Sequence, residues 1–382
     1  MTRYLVTTNP DRLPSTDPIA MVDGTVPNWQ KSYYDLHFDH HKPGGAKIQV
    51  DEMPMPRECS ILMIEYNLNC QDANFQYYVG DSYEPTIVTT MVDADACVAA
   101  AWLQLTNKEL TDDAVQKLRA IAHDCDHLRV SDEHLHLKEF AAKAVAALKT
   151  AGFALADEMG YPSDRRQWTE RQREAAASAG FKQGTEWLIA AVKGERPWPG
   201  EMGEADDYYA GVMADADMLL RENRVYFLDL VAVCNTQGIG RYIDPRAAIV
   251  AWQESWSQQN SRAMFDSVRP ETLTIRDHKA GGASYTLGSF TEHPLIESLD
   301  YTVKTFAALT AAEIEEFDRQ WSLHVQESNA SGLEAYDGSF SLQRPEGWGG
   351  RATVGGSAWN TPSLLSPPEV VAIVLAAGTY EK

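Results

Sequence analysis

Two short apolar runs in this chain each end on a carboxylate, and that pairing limits the fold more than any other feature. Ile19-Ala20-Met21-Val22 runs into Asp23-Gly24, and Thr86-Ile87-Val88-Thr89-Thr90-Met91-Val92 runs into Asp93-Ala94-Asp95. Both read as buried strands. The second leads into an Ala- and Leu-rich stretch, Asp95–Leu105, that favours a helix. Strand, acidic loop, helix is the pattern of an α/β domain that presents ligands at the carboxyl ends of its strands.

Between the two runs lies Tyr34-Asp35-Leu36-His37-Phe38-Asp39-His40-His41-Lys42-Pro43-Gly44-Gly45, where an Asp and two His put three metal-competent side chains on one short segment. A fourth cluster follows at His123-Asp124-Cys125-Asp126-His127. The expectation is that all four converge on one site holding a pair of divalent cations. Carboxylates with imidazoles suit Mn, Fe, Co or Zn, whereas oxygen-only ligation would favour Mg or Ca. Two metals about 3.5–4 Å apart can clamp an attacking oxygen and a phosphoryl oxygen together. The candidate ligands are Asp23, Asp39, His40, His41, Asp93, Asp95, Asp124 and Asp126. Each Asp has a plainer reading as a turn or helix cap, and Asn9 and Asp11 read equally well as turn chemistry. His127, His134 and His136 read as ordinary surface histidines. His278, beside Arg276 and Lys279, reads either as part of an anion pocket or as surface.

With 382 residues, two domains are expected. The chain divides on paper into a metal-binding part, 1–137, a helical middle, 138–205, and a smaller α/β part, 206–382. Arg3–Thr8 suits a first strand, and Thr111-Asp112-Asp113 caps a helix that ends at the His123 cluster. From Lys138 to Gly194 the spacing is helical, with Gly152 placed to terminate a segment. Pro197-Trp198-Pro199-Gly200 is the clearest linker candidate, followed by a helix through Tyr209, Val212 and Leu219. Arg224–Val233 reads as one strong strand, Ala247–Trp256 as alternating strand and loop, and Leu273–Arg276 as a strand. Thr310 with Glu313 matches a capping box before a helix over Ile314–Leu323. Pro368–Ala376 forms a closing helix. Ser60–Tyr66 is a strand or a buried helix segment.

The glycine run Gly347–Ser357 carries the second set of candidates. Gly349, Gly350, Arg351, Gly355, Gly356 and Ser357 would bring backbone N–H groups and one guanidinium to a phosphate, although glycine-rich loops are often only turns. Arg344 could add charge, and Gly281-Gly282-Ala283-Ser284 a second such turn. Trp348 or Trp359 would stack on a base or pack in the core.

Composition bounds the partners. With 55 acidic against 33 basic residues the formal net charge is −22, which argues against broad binding to duplex nucleic acid or anionic lipid. A small anionic substrate is still compatible, because metal charge reverses the local field. The five cysteines are scattered without a CxxC pair, as expected of a reduced, cytoplasmic protein. No leader and no membrane span are expected.

Val22-Asp23-Gly24, Phe38-Asp39-His40-His41 and Val92-Asp93-Ala94-Asp95-Ala96, with the C-terminal glycine run, resemble the DHH phosphoesterase superfamily of manganese-dependent phosphodiesterases, exopolyphosphatases, family II pyrophosphatases and RecJ-like nucleases. The resemblance covers roughly the first 130 residues and the last 40. It implies a parallel-sheet catalytic domain, Asp23 as the metal bridge, Asp39 supporting the site, His40 as a ligand and His41 on substrate phosphate or a leaving oxygen. Asp93 and Asp95 would ligate the two metals, with Asp124 or Asp126 completing the set. The motif order departs from the family, in which the Asp-x-Asp segment precedes Asp-His-His. Either the arrangement is permuted or Asn9 and Asp11 replace the first motif. The loop 9–19 is too short for the helix that should follow that motif, which favours permutation.

The implied activity is hydrolysis, by metal-activated water with two Mn(2+) per chain, of a small nucleotide, cyclic dinucleotide or short single-stranded oligonucleotide. The alternatives are a pyrophosphatase or exopolyphosphatase, a non-catalytic nucleotide-binding protein on a degenerate scaffold, and a metal hydrolase of carboxylic or amide bonds. A homodimer is compatible with the sequence.

Overall fold

The computed structural model describes residues 2–32, 35–39, 85–128, 130–228, 231–241, 243–259, 271–278, 281–289, 295–330, 342–345, 347–350, 354–358 and 361–377. His40, His41, the run Ser60–Tyr66, Lys279, Arg351 and Trp359 lie outside the described residues. The chain is α/β and forms two compact units, Met1–Gly211 and Val212–Lys382.

In the first unit, β1 (Arg3–Val6), β2 (Ile19–Val22), β3 (Leu36–Phe38) and β4 (Thr86–Thr89) make an all-parallel sheet in the order β1-β4-β2-β3. Val6 pairs with Thr89, Met21 with Val88 and Val22 with Phe38. All four carboxyl ends therefore share one edge. Side chains alternate across the sheet. Ala20, Val22 and Ile87 enter a core shared with the helices, while Ile19, Met21 and Val88 face a smaller cluster with Val26, Leu13 and Trp29. Both faces are covered, which is why β2 and β4 read as continuous apolar runs.

Four long helices complete this unit: α1 (Ala94–Trp102), α2 (Asp112–His127), α3 (Lys138–Glu158) and α4 (Glu170–Val192). All nine residues of α1 are buried, so its small Ala side chains let it sit close under its neighbours. Side-chain caps start three of them: Asp93 for α1, Thr111 for α2, and a Thr169–Gln172 capping box for α4.

Helix α2 ends on the His123–His127 cluster as expected, with Leu128 after it in the left-handed conformation (φ 54°). Local signals mislead at two places here. Helix α3 runs through Gly152 to Glu158. A Cβ on Gly152 would lie 3.9 Å from the Gly180 Cα of α4, so the glycine serves helix approach and not termination. Pro197–Gly200 is packed and not a linker. Trp198, Pro199 and Gly200 are buried, Trp187 Nε1 donates to the Pro197 carbonyl at 2.9 Å, and a Cβ on Gly200 would collide with Phe140.

Helix α5 (Gly203–Arg221) spans the division between units. The second unit holds a six-stranded sheet in the order β5-β6-β7-β8-β10-β9: β5 (Val225–Leu228), β6 (Val231–Asn235), β7 (Glu271–Asp277), β8 (Ala283–Ser289), β9 (Gly349–Gly350) and β10 (Val354–Gly356). Only β6 and β7 are parallel, and α6 (Pro245–Gln259) connects them. Arg224–Val233 is thus two strands, with Phe227 opposite Ala232. Ala247–Trp256 lies inside α6, which buries Ala247, Ala248, Ala251 and Trp252 on one face.

Helix α7 (Leu295–Ala330) runs straight through Thr310 and Glu313, which therefore form no capping box. Both are used in tertiary contacts. Thr310 Oγ1 accepts from the Trp348 backbone N–H at 2.8 Å. The buried Glu313 carboxylate accepts from Trp348 Nε1 at 3.2 Å, from the Leu364 N–H at 3.0 Å and from Ser363 Oγ. Helix α8 (Pro367–Ala377) closes the described chain and buries Val370, Val371 and Val374 with Leu309 and Phe306 of α7.

Candidate functional site

The carboxyl edge of the first sheet is built by a turn that few residues tolerate. Asp23, one past β2, has φ 46° and Gly24 has φ 136°. Asp is among the few side chains that enter the left-handed region at modest cost. The backbone of Asp23 is held from both sides: its N–H donates to the Phe38 carbonyl at 2.9 Å, and its carbonyl accepts from Thr89 Oγ1 at 3.1 Å. A Cβ on Gly24 would overlap Thr90 Oγ1, so the chain after β2 passes directly against the chain after β4. The Asp23 side chain is 3% exposed.

Asp39 follows β3. Since Val22 pairs with Phe38, Asp23 and Asp39 leave the sheet from adjacent strand ends. Asp39 is fully buried, and its Oδ2 accepts from Thr25 Oγ1 at 2.5 Å. His37, two residues earlier and on the same face as Met21, lies 2.7 Å from the same hydroxyl through Nε2. Burial pushes the His37 imidazole down from its usual range, with Asp39 opposing and Lys31 adding to the shift.

Asp93 and Asp95 enter from β4. Asp93 Oδ1 caps α1 by accepting from the Ala96 N–H at 3.0 Å, and Asp95 is buried in the first turn, where the helix dipole favours a negative charge. Helix α2 supplies the third side. Donor atoms of Asp93, Cys125 and Asp126 all lie within 4.8 Å of one another. Burial pushes the Cys125 thiol well up, and Asp93 and Asp126 push it further. The Cys97 thiol on α1 is raised by burial and then by Asp93, with Asp23 and Asp95 adding to it. Two thiols thus feel the same converging carboxylates.

The structure brings Asp93, Cys125 and Asp126 together, Asp23 and Asp95 are close enough for the Cys97 thiol to feel their charge, and Asp39 lies on the strand end beside Asp23. Asp124 is fully buried on α2, two residues before Asp126. Asn9 and Asp11 sit in a single helical turn, Asn9 Oδ1 accepting from the Asp11 N–H at 3.0 Å, and Asp11 is exposed. His134 is not a surface residue: it is 4% exposed, its Nδ1 lies 2.7 Å from Ser131 Oγ, and burial lowers its pKa. His136 is exposed, and the His278 backbone N–H donates to the Gly282 carbonyl at 3.1 Å in the turn between β7 and β8.

In the second unit the described parts of the glycine run, β9 and β10, pair antiparallel. Gly350 pairs with Gly355 and Gly349 with Gly356. A Cβ on Gly355 would strike the Phe306 ring, and one on Gly356 would lie 2.7 Å from the Tyr285 carbonyl. Ser357 Oγ accepts from the Tyr285 N–H at 2.9 Å. Trp348 is buried and stacks on Tyr285 with ring centroids 6.0 Å apart, which settles it as core.

The residue that sequence reasoning missed is Cys125. It lies between two acids already singled out, and no spacing rule marks a lone cysteine on a helix as a donor. The donor set of carboxylate oxygens with one sulfur fits a divalent transition ion.

No protein-family model matches the chain, and no curated protein matches it either. Among solved structures, a pGpG-specific phosphodiesterase, PggH from Vibrio cholerae, aligns at 8% identity over 95% of this chain and 100% of that one, with a TM-score of 0.31. That likeness is too slight to bear on chemistry. Among the described residues no helix is long and apolar enough to cross a membrane.

Proposed function

We propose that this chain is a divalent-metal-dependent phosphoesterase acting on a small nucleotide, with a linear or cyclic dinucleotide or a short oligonucleotide as the substrate class. The observation that carries this is the mutual approach, within 4.8 Å, of donor atoms from Asp93, Cys125 and Asp126 beside Asp23 and Asp95 at the carboxyl edge of a parallel sheet. The Asp-His-His resemblance, with Asp39 buried at the neighbouring strand end, points the same way. A pair of Mn(2+) or similar ions bound there supplies charge neutralisation at phosphorus and activation of water.

The residues of the chain do the rest. Asp23, with its backbone N–H bonded to the Phe38 carbonyl, brings its buried carboxylate to the sheet's carboxyl edge. Asp93 holds α1 with one oxygen while its carboxylate stays in the cluster. Asp39 accepts a hydrogen bond from the Thr25 hydroxyl at Oδ2, which orients its carboxylate. His41 contacts the substrate. The net charge of −22 selects against long polyanions and for small substrates that the site's own cations can neutralise.

Purification without chelator, metal analysis by mass spectrometry, and hydrolysis assays on bis-p-nitrophenyl phosphate and a linear dinucleotide test this. The expected result is a pair of transition ions per chain, lost in Asp39→Ala together with hydrolysis. A wild-type protein that holds no metal, or one fully active in excess EDTA, overturns it.

A further inference from the structure

The hydrogen bonds beneath Asp39 have a direction that proton counting fixes. Thr25 Oγ1 donates to Asp39 Oδ2 and also meets His37 Nε2. A hydroxyl carries one proton. With that proton committed to the carboxylate, Thr25 offers His37 only a lone pair, so the imidazole must be the donor and its proton must sit on Nε2. The chain of bonds runs from His37 Nε2–H to Thr25 Oγ1–H to Asp39 Oδ2. Its parts are packed in place: His37 is the central residue of β3, is 5% exposed, and meets the Trp29 ring edge-on at 5.2 Å. His37 and Asp39, two apart on an extended segment, project to the same side of the sheet.

We propose that Thr25 and His37 are positioning residues that lock the Asp39 carboxylate in the orientation needed to hold a metal ion. This rests on Asp39 being a metal ligand, as read above. A ligating carboxylate left to rotate loses affinity, and removing such outer partners typically weakens metal binding about 10–100-fold. Thr25→Val keeps the side-chain shape and removes the hydroxyl. Thr25→Ser keeps the hydroxyl and removes a methyl. His37→Leu removes the donor that orients Thr25.

Mn(2+) is titrated by calorimetry into metal-stripped full-length protein for the wild type, these three variants and Asp39→Ala, with circular dichroism and thermal melting of each. The expected result is affinity about 10–100-fold weaker in Thr25→Val and in His37→Leu, restored in Thr25→Ser, with native spectra throughout. Wild-type affinity in Thr25→Val, with or without a lowered melting temperature, overturns the positioning role while Asp39→Ala still defines the metal site. If Thr25→Val does not fold, unchanged affinity in His37→Leu overturns it equally. Wild-type affinity in Asp39→Ala, or no Mn(2+) binding by the wild type, overturns both the inference and the reading on which it stands.

Discussion

Cys125 changes which ion the acidic cluster should prefer. Carboxylates alone select hard cations, and a thiolate moves the preference toward Zn(2+), Co(2+) and Fe(2+). Cys125→Ser is therefore expected to weaken Zn(2+) binding by tenfold or more on the order-of-magnitude scale of ligand loss, with a smaller effect on Mn(2+). Protein loaded with Co(2+) should show a near-ultraviolet sulfur-to-metal band that disappears in Cys125→Ser. A Co(2+) spectrum identical in the two proteins would remove Cys125 from the ligand set. At this scale the sequence was legible where the backbone itself aims the side chain. Asp23 and Asp39 follow paired strand residues and Asp93 follows β4, so each strand end announces its acid. The approach of Cys125 and Asp126 to Asp93 was not legible, because it depends on the rotational phase of α2 against α1, which only packing sets.

Glu313 shows how an element can satisfy a local rule and use it for something else. Thr310 and Glu313 have capping-box spacing, yet α7 extends fifteen residues before Thr310 and its N–H groups there are already bonded within the helix, so the two side chains clamp the Trp348 and Ser363–Leu364 segments instead. Glu313→Ala would strand three donors, the Trp348 Nε1–H in a buried setting and those of Ser363 and Leu364 half-buried. At about 1–3 kcal/mol for each unsatisfied group, reduced by relaxation, the expected loss is about 3 kcal/mol, read as a lower urea midpoint at unchanged slope. A change within about 0.5 kcal/mol, the usual scatter for a surface site, would mean the clamp contributes nothing. Strands β1, β2, β4 and β7 and helices α1 and α8 could be read in advance because their signals are short-range. Helix α6 and the buried Pro197–Gly200 turn could not, because their conformations are decided by partners far away in sequence.

Across the whole molecule, charge is the dominant imbalance. A formal −22 on 382 residues repels itself in the folded state more than in the expanded one. Raising NaCl from about 10 to about 200 mM shortens the screening length from about 30 to below 10 Å and should raise the melting temperature of the metal-free protein by several degrees. A flat or falling response would show that attractive pairs, and not net repulsion, set the salt dependence. The two-unit organisation follows from length, and the acidic candidates fall in the first unit by position alone, whereas the placement of three strand ends along one sheet edge needed the strand order β1-β4-β2-β3.

Gly24 and Thr90 lie where the chain leaving β2 crosses the chain leaving β4, with Asp23 just before the crossing and Asp93 just after it. The hydroxyl of Thr90 fills the volume that any other residue at 24 would claim for its first side-chain carbon. What lets the two chains pass so closely beside those acids is an atom that is missing.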